Sequence, residues 1–304
     1  MILLWGVPDD SPMAAVHNAL LRRGAPVEFL DQREVLTTEV ELWVDSDIRG
    51  VLQHGHRKSE LGAVTAVYLR TYDWRHFPEI EKAGPGSQTW RHALGVHDTL
   101  LCWLELTTAP VINRLTAMAV NNSKPLQACL IRSLGFDIPD TLITTDPSTA
   151  QEFWEKHGTV IYKSISSVRS IVSRLTPEHR RRLDDIAWCP TQFQRYIPGH
   201  DYRVHVVGDE VFACEIVSEA DDYRYATRQG ADVDIRSYHL PGDCADRCRE
   251  LAAAMELPVA GIDLRRTPEG QWYCFEVNPS PAFTYYQGAT GQPIDEAIAT
   301  LLAE

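Results

Sequence analysis

VAGIDLRRTPEGQWYCFEVNPSPAF, residues Val259 to Phe283, sets two apolar runs around a short polar gap. Val259–Leu264 and Trp272–Val277 flank Thr267-Pro268-Glu269-Gly270. Proline and glycine in so short a gap mark a turn, so the stretch predicts a β-hairpin. Glu276 and Asn278 are two positions apart and leave the same face of the second strand, and Asp263 in the first strand can lie opposite them. Two carboxylates and an amide oxygen then converge. Mg²⁺ takes such a hard-oxygen set readily, because one or two carboxylates plus substrate phosphates complete its octahedron. Zinc prefers thiolates and imidazoles. A hairpin with a merely solvated acidic face would show the same spacing. Asn278-Pro279-Ser280-Pro281 favours the metal reading, because a rigid exit just after the ligands holds them at a strand end.

Working outward, the 304 residues are 44% hydrophobic and 23% charged, an ordinary globular composition with chain enough for two or three modules. A net charge of −13 repels phosphate backbones and argues against nucleic acid as a general partner. The opening MILLWGVPDD has no basic flank and reads as a first strand, not a signal peptide. No apolar run is long enough to span a membrane. Seven scattered cysteines, an odd number, fit reduced thiols in a cytoplasm. Cys244 and Cys248 share a helix face, but no second pair is spaced to complete a metal site.

Ile2–Gly6, a helix from Pro12 to Arg23 and Val27–Leu30 form a β-α-β opening, which predicts a small parallel-sheet domain. Ala63–Leu69 adds a strand and His92–Leu106 a helix, on which His92 and His97 read as partly exposed helix histidines. G-x-G-x-x-G is absent after the first strand, so a dinucleotide fold has no support. Ser123 is placed to cap a helix that begins with Lys124-Pro125 and ends before Gly135. Thr149–His157 reads as a helix, Val160–Lys163 as a strand and arginine-rich Glu178–Ile186 as a solvated helix. In the segment QFQRYIPGHDYRVHVVG, from Gln192 to Gly208, Asp201 and Arg203 share a strand face. Val211–Val217 is the next strand, Cys244–Met255 a helix, and Ile294–Leu302 the last helix.

Asp263, with Glu276 and Asn278 inside FEVNPSP, resembles the C-terminal metal motif of ATP-grasp ligases. The likeness is to the RimK-type glutamate ligases and the microviridin-type (graspetide) ring-closing ligases, and it extends from about Asn113 to the C-terminus. It implies a mixed α/β ATP-grasp fold behind an N-terminal parallel-sheet pre-ATP-grasp domain. The implied units are residues 1–112 and 113–304, the latter divided into 113–192 and 193–304. Lys124 and Lys163 would reach the nucleotide phosphates. Gln194, Arg195, Tyr196 and Ile197 would form the hinge whose backbone reads the adenine edge. Asp201 matches the ribose-associated acid, and Arg203 the D-x-R arginine facing the γ-phosphate and the acyl phosphate. Arg224 would be the basic residue of a phosphate loop. Asp263, Glu276 and Asn278 would hold one or two Mg²⁺, with Mn²⁺ as a substitute.

The implied activity joins a carboxylate to an amine or a hydroxyl through an acyl phosphate, releasing ADP and phosphate. The carboxylate belongs to a small molecule or a peptide, and neither nucleic acid nor membrane is an expected partner. A cytoplasmic enzyme is implied, and a homo-oligomer is compatible with it. One departure stands out: Ser164 to Ser170 has no glycine where the family commonly has a glycine-rich flap, and glycine best allows a backbone to approach phosphate. Graspetide-type ligases also have a reduced flap. Two other readings are a small-molecule kinase of the same fold and a nucleotide-binding module without catalysis.

Overall fold

Apolar strands alternating with amphipathic helices build a parallel sheet at the N-terminus of the computed structural model, which describes residues 1–45, 48–165, 172–218 and 232–304. The first elements are β1 (Ile2–Gly6), α1 (Ser11–Arg22) and β2 (Val27–Asp31). Every residue of β1 is buried, as befits a parallel strand covered on both faces. Asp10 caps α1 by accepting the Met13 N–H. Next come β3 (Thr38–Val44), β4 (Ile48–His54) and β5 (Arg57–Glu60), an antiparallel sheet beyond the purely parallel expectation. Glu39 and Glu41 break up β3, Arg49 and Gly50 break up β4, and β5 is wholly polar, so none reads as a core strand. Buried Glu28 on β2 accepts from His54 at 2.8 Å and from Ser59 at 2.6 Å, tying the two sheets together.

The domain continues with β6 (Ala66–Arg70), α2 (Pro78–Ala83), α3 (Gln88–Leu106) and β7 (Val111–Ile112). The parallel sheet has the order β2-β1-β6-β7. The strand expected from Ala63 begins at Ala66, because Leu61–Ala63 closes a 3₁₀ turn. Helix α3 begins a turn before His92, because Ser87 caps it through the Trp90 N–H. The His92 ring bonds the backbone carbonyls of Val35 and Thr38, and His97 packs against Trp5 and Trp74. Both therefore serve packing, and burial pushes the His97 pKa down.

The remainder holds α4 (Leu115–Met118), α5 (Lys124–Ser133), β8 (Thr141–Thr144), α6 (Pro147–His157), β9 (Val160–Ser164), β10 (Ser173–Arg174) and β11 (Thr191–Arg195). These strands form an antiparallel sheet, β10-β9-β11-β8. Of the expected hinge residues, Gln194 and Arg195 close β11 while Tyr196 and Ile197 lie past its end, and Pro177–Trp188 is a 3₁₀ rather than an α-helix. A five-stranded antiparallel sheet follows: β12 (His200–Val207), β13 (Glu210–Ser218), β14 (Val233–Tyr238), then α7 (Gly242–Ala254), β15 (Val259–Arg266) and β16 (Trp272–Asn278). Its order is β14-β13-β12-β15-β16.

Alternation divides the two faces of this sheet. Tyr202, Val204, Val206, Ile262, Leu264 and Val277 pack into one core with Cys244, Cys248 and Leu251 of α7. Asp201, Arg203 and His205 therefore lie on the opposite face. Last come α8 (Thr284–Thr290), absent from the expectations, and α9 (Ile294–Ala303). Helix α9 returns to the first domain: Ile298 and Leu302 share a core with Leu4, Val16 and Leu20, and Glu296 pairs with Arg22 and Arg23. Among the described residues, no helix is long and apolar enough to cross a membrane.

Candidate active site

Strand pairing brings the expected metal residues together. Arg203 on β12 lies directly opposite Asp263 on β15, and Asp263 opposite Glu276 on β16. The three form one row across three adjacent strands. Arg203 Nη1 donates to Asp263 Oδ1 at 2.6 Å, and Lys124 Nζ stands 3.1 Å from Glu276 Oε1. Asn278 follows two residues on, opposite Gly261, and its Oδ1 accepts the Ser280 N–H at 2.9 Å. A Cβ at Gly261 would collide with the Arg203 guanidinium, so glycine makes the room that lets the arginine lie across the sheet.

These donors fit Mg²⁺. They are two carboxylates and an amide oxygen at one strand end, and both carboxylates already face protein cations. Among the described residues, no group of three or more His, Cys, Asp and Glu side chains is placed to hold a metal. Cys244, Cys248 and Cys274 are all buried, behind this row rather than in it.

Residues that sequence reasoning passed over hold the row in place. Gln127, one turn after Lys124 on α5, donates to Val277 O at 2.8 Å and accepts from Val277 N at 3.0 Å. Its amide thereby completes the free edge of β16 between Glu276 and Asn278. Its spacing of three from Lys124 was the available signal. His205 is buried beside Arg203 and Tyr286. Burial first, then the Arg203 charge, push its pKa well below the ordinary value, so the ring is neutral and its Nε2 accepts from Arg203 Nε at 3.5 Å. Asp201 is held by Arg265 through both oxygens, at 2.7 and 2.9 Å, and the same arginine donates to Ile197 O at 2.8 Å.

A cavity of about 670 Å³ lies between α5, the β8–β11 sheet and β16, within the size range of small-ligand pockets. Lys124, Lys163 and Gln194 line it, as do Arg132, Lys156 and Gln192. Lys163 and Gln192 are opposite each other on β9 and β11. In a chain of net charge −13, Lys124, Arg132, Lys156 and Lys163 outnumber Asp137 and Asp140 around this cavity and favour an anion there. Among the described residues, Gln192 Oε1 and Gln194 Oε1 are buried lining atoms without a hydrogen-bond partner, while His157 Nε2 lies 3.8 Å from Asp140 Oδ2. Buried polar atoms normally have partners, so the two glutamine oxygens point to a polar ligand. Lys124 joins the two halves of the site, lining the cavity while pairing with Glu276.

The other expected residues lie nearby. Gln194 Nε2 donates to Thr141 Oγ1 at 3.0 Å. The Arg195 and Tyr196 N–H groups donate to Asp140 O and Thr159 O, so these two donors already serve the protein. Arg195 Nη2 reaches the Tyr273 hydroxyl at 3.0 Å, and the Tyr196 ring lies between the guanidinium groups of Arg174 and Arg265. Arg224 lies outside the described residues, as does 166–170 of the glycine-free segment.

Two sheets facing a cleft, with the Arg203–Asp263–Glu276 row beside it, are the arrangement expected of an ATP-grasp enzyme. The RimK-like ATP-grasp domain model matches residues 119–302, and the chain belongs to that family. That places it among the ATP-grasp enzymes, and an ATP-grasp ligase of similar fold is solved with Mg and ADP. Among solved structures, the chain is similar to a Chryseobacterium gregarium RiPP-associated ATP-grasp ligase in complex with ADP and a leader and core peptide. That match has 23% identity and a TM-score of 0.84, covering 99% of this chain and 96% of that one. It is also similar to the macrocyclase MdnC of Microcystis aeruginosa MRC, bound with precursor peptide MdnA, at 22% identity, TM-score 0.81 and full coverage of both chains. A third is the ATP-grasp ligase PsnB complexed with minimal precursor, Mg and ADP, at 26% identity and TM-score 0.78, covering 99% of this chain and 96% of that one. No curated protein matches the chain.

Proposed function

We propose that this ligase acts on a peptide, activating a side-chain or terminal carboxylate and closing it onto an amine or hydroxyl of the same peptide. The observation that carries the chemistry is the row Arg203–Asp263–Glu276 at the rim of a lysine-lined cleft. The peptide nature of the substrate is supported by the neighbours crystallised with peptides.

A carboxylate oxygen attacks the γ-phosphorus of ATP, the bond to the bridging oxygen breaks, and ADP leaves. The acceptor then attacks the acyl phosphate carbon, loses a proton, and phosphate departs with the C–O electrons. When bound, Mg²⁺ would supply charge neutralisation at the phosphates. Asp263, Glu276 and Asn278 hold the metal, and Lys124 and Lys163 face the phosphates. Arg203 is the catalytic residue, its guanidinium aimed along the row by Asp263. Gln194, Arg195, Tyr196 and Ile197 flank the base, Asp201 the ribose, and Arg224 the phosphate loop. Positioning and charge neutralisation are the protein's contribution. We place the N-terminal unit at 1–112. Within 113–304 we place the first nucleotide subdomain at 113–192 and the second, with the metal site, at 193–304.

Lys163 is buried on the cavity wall, where its charge acts through little water. Lys163→Met is expected to weaken Mg-ATP binding by about tenfold or more, as the loss of one charge-assisted contact implies, with the circular dichroism spectrum unchanged. Calorimetric titration measures it, and an unchanged dissociation constant places the nucleotide elsewhere.

The substrate is tested with Mg-ATP and peptides rich in Thr, Ser, Lys, Asp and Glu, including any small peptide encoded beside the gene. Mass spectrometry is expected to show a product lighter by one water per bond formed, in step with ADP. ADP release with only free amino acids condensed would reject the peptide reading while leaving the ligase intact.

A further inference from the structure

We propose that Arg70, from the N-terminal domain, is a positioning residue for the metal ligand Asn278. The inference rests on the reading of Asn278 as a metal ligand. Past Asn278 the chain leaves β16 and runs through Pro279-Ser280-Pro281, where no strand supplies backbone partners. Its carbonyls must find donors elsewhere. Asn113 Nδ2 donates to Pro279 O, and Arg70 Nη1 donates to Pro281 O at 3.2 Å. The same Nη1 donates to Ser280 Oγ at 2.9 Å. Ser280 in turn directs its N–H at Asn278 Oδ1 at 2.9 Å. An amide oxygen has two lone pairs, so this bond orients the oxygen and leaves the second for a cation.

Arg70 is itself fixed. Its Nε donates to Asp10 Oδ2 at 2.6 Å, its side chain is only 11% exposed, and the Tyr72 hydroxyl donates to the other Asp10 oxygen at 3.1 Å. A guanidinium has five N–H donors, and those on Nε and Nη1 serve the Asp10 carboxylate and the ligand loop. It therefore acts as a bracket with one arm in each half of the molecule. Asp10 follows β1 and Arg70 ends β6, neighbouring strands of the parallel sheet, so the bracket stands on rigid elements. Lysine, with a single nitrogen, cannot span both sides at once.

Partners that orient a metal ligand typically govern metal affinity by about 10- to 100-fold. The test reads Mn²⁺ binding to the enzyme–ADP complex from the electron paramagnetic resonance signal of free Mn²⁺, with thermal melting in parallel. Arg70→Ala and Arg70→Lys are both expected to weaken Mn²⁺ by about tenfold. Ser280→Ala, which removes only the hydroxyl, should weaken it in the same direction by less, and it serves if Arg70→Ala does not fold. Arg114→Ala is the control for lost packing. That guanidinium also bridges backbone carbonyls, those of Leu104, Thr107 and Ala109, but away from the loop, and its loss should leave Mn²⁺ affinity unchanged. Wild-type Mn²⁺ affinity in folded Arg70→Lys and Ser280→Ala, while Asn278→Ala binds weakly, would overturn the proposal and spare the metal site. Unchanged affinity in Asn278→Ala would instead remove the metal reading on which it rests.

Discussion

Glu276→Gln is expected to lower ATP turnover by about 10²-fold or more, because it removes one of two carboxylates from the metal row while keeping the side chain's shape. Glu276 lies opposite Asp263 and faces the Lys124 ammonium at 3.1 Å. The substitution therefore acts twice. The cation that must neutralise phosphate charge loses an anionic ligand, and Lys124 loses the charge that pairs with it at the rim of the cleft. Glutamine still offers an oxygen of the same reach, so packing around β16 and the Gln127 clamp on Val277 are untouched. A normal melting temperature with lost turnover is the expected pair of results, and raising Mg²⁺ should recover part of the rate. Near wild-type turnover at ordinary Mg²⁺ would mean that Asp263, Glu276 and Asn278 are not the metal site.

Arg203→Ala is expected to abolish both ADP formation and trapping of the activated carboxylate. Arg203 is buried, lies in the sheet row next to Asp263, and has room only because residue 261 is glycine. In a ligase it faces two successive charged states, the transferring phosphoryl group and then the tetrahedral centre formed as the acceptor attacks. In a kinase only the first exists. Hydroxylamine separates them, because it intercepts an acyl phosphate to give a hydroxamate and does not react in this way with a phosphate ester. The wild-type enzyme with Mg-ATP and its carboxylate substrate should form hydroxamate in step with ADP. Removing a preorganised charge of this kind costs about 10²- to 10³-fold in rate. ADP with a stable phosphorylated alcohol, and no hydroxamate, would install the kinase reading in place of the acyl-phosphate mechanism.

The alternation rule made the meeting of Asp263 and Glu276 legible. Glu276 and Asn278 are two apart and Asp263 sits across a turn rich in proline and glycine, so the hairpin places the three at one strand end. The N-terminal β-α-β unit was legible for the same local reason, a change of apolar period from strand to helix. The sheet of β3, β4 and β5 was not, because charged and glycine residues interrupt the apolar ones in β3 and β4 and β5 is wholly polar. Helix α8 escaped because its seven residues include Gly288 and two polar threonines.

What the sequence alone determined, then, is the chemistry on offer: the oxygen ligands of one hairpin, the lysines that open α5 and nearly close β9, and the D-x-R pair on β12. Each follows from short-range spacing within one element or across one turn. Only the tertiary structure decided which of these groups meet and what holds them. Lys124 meets Glu276 because α5 crosses β16, Gln127 completes the β16 edge from 150 positions away, and Arg70 reaches Ser280 across 210. Such contacts arise from docking one element on another to bury apolar surface, and that docking leaves no periodic trace in the chain.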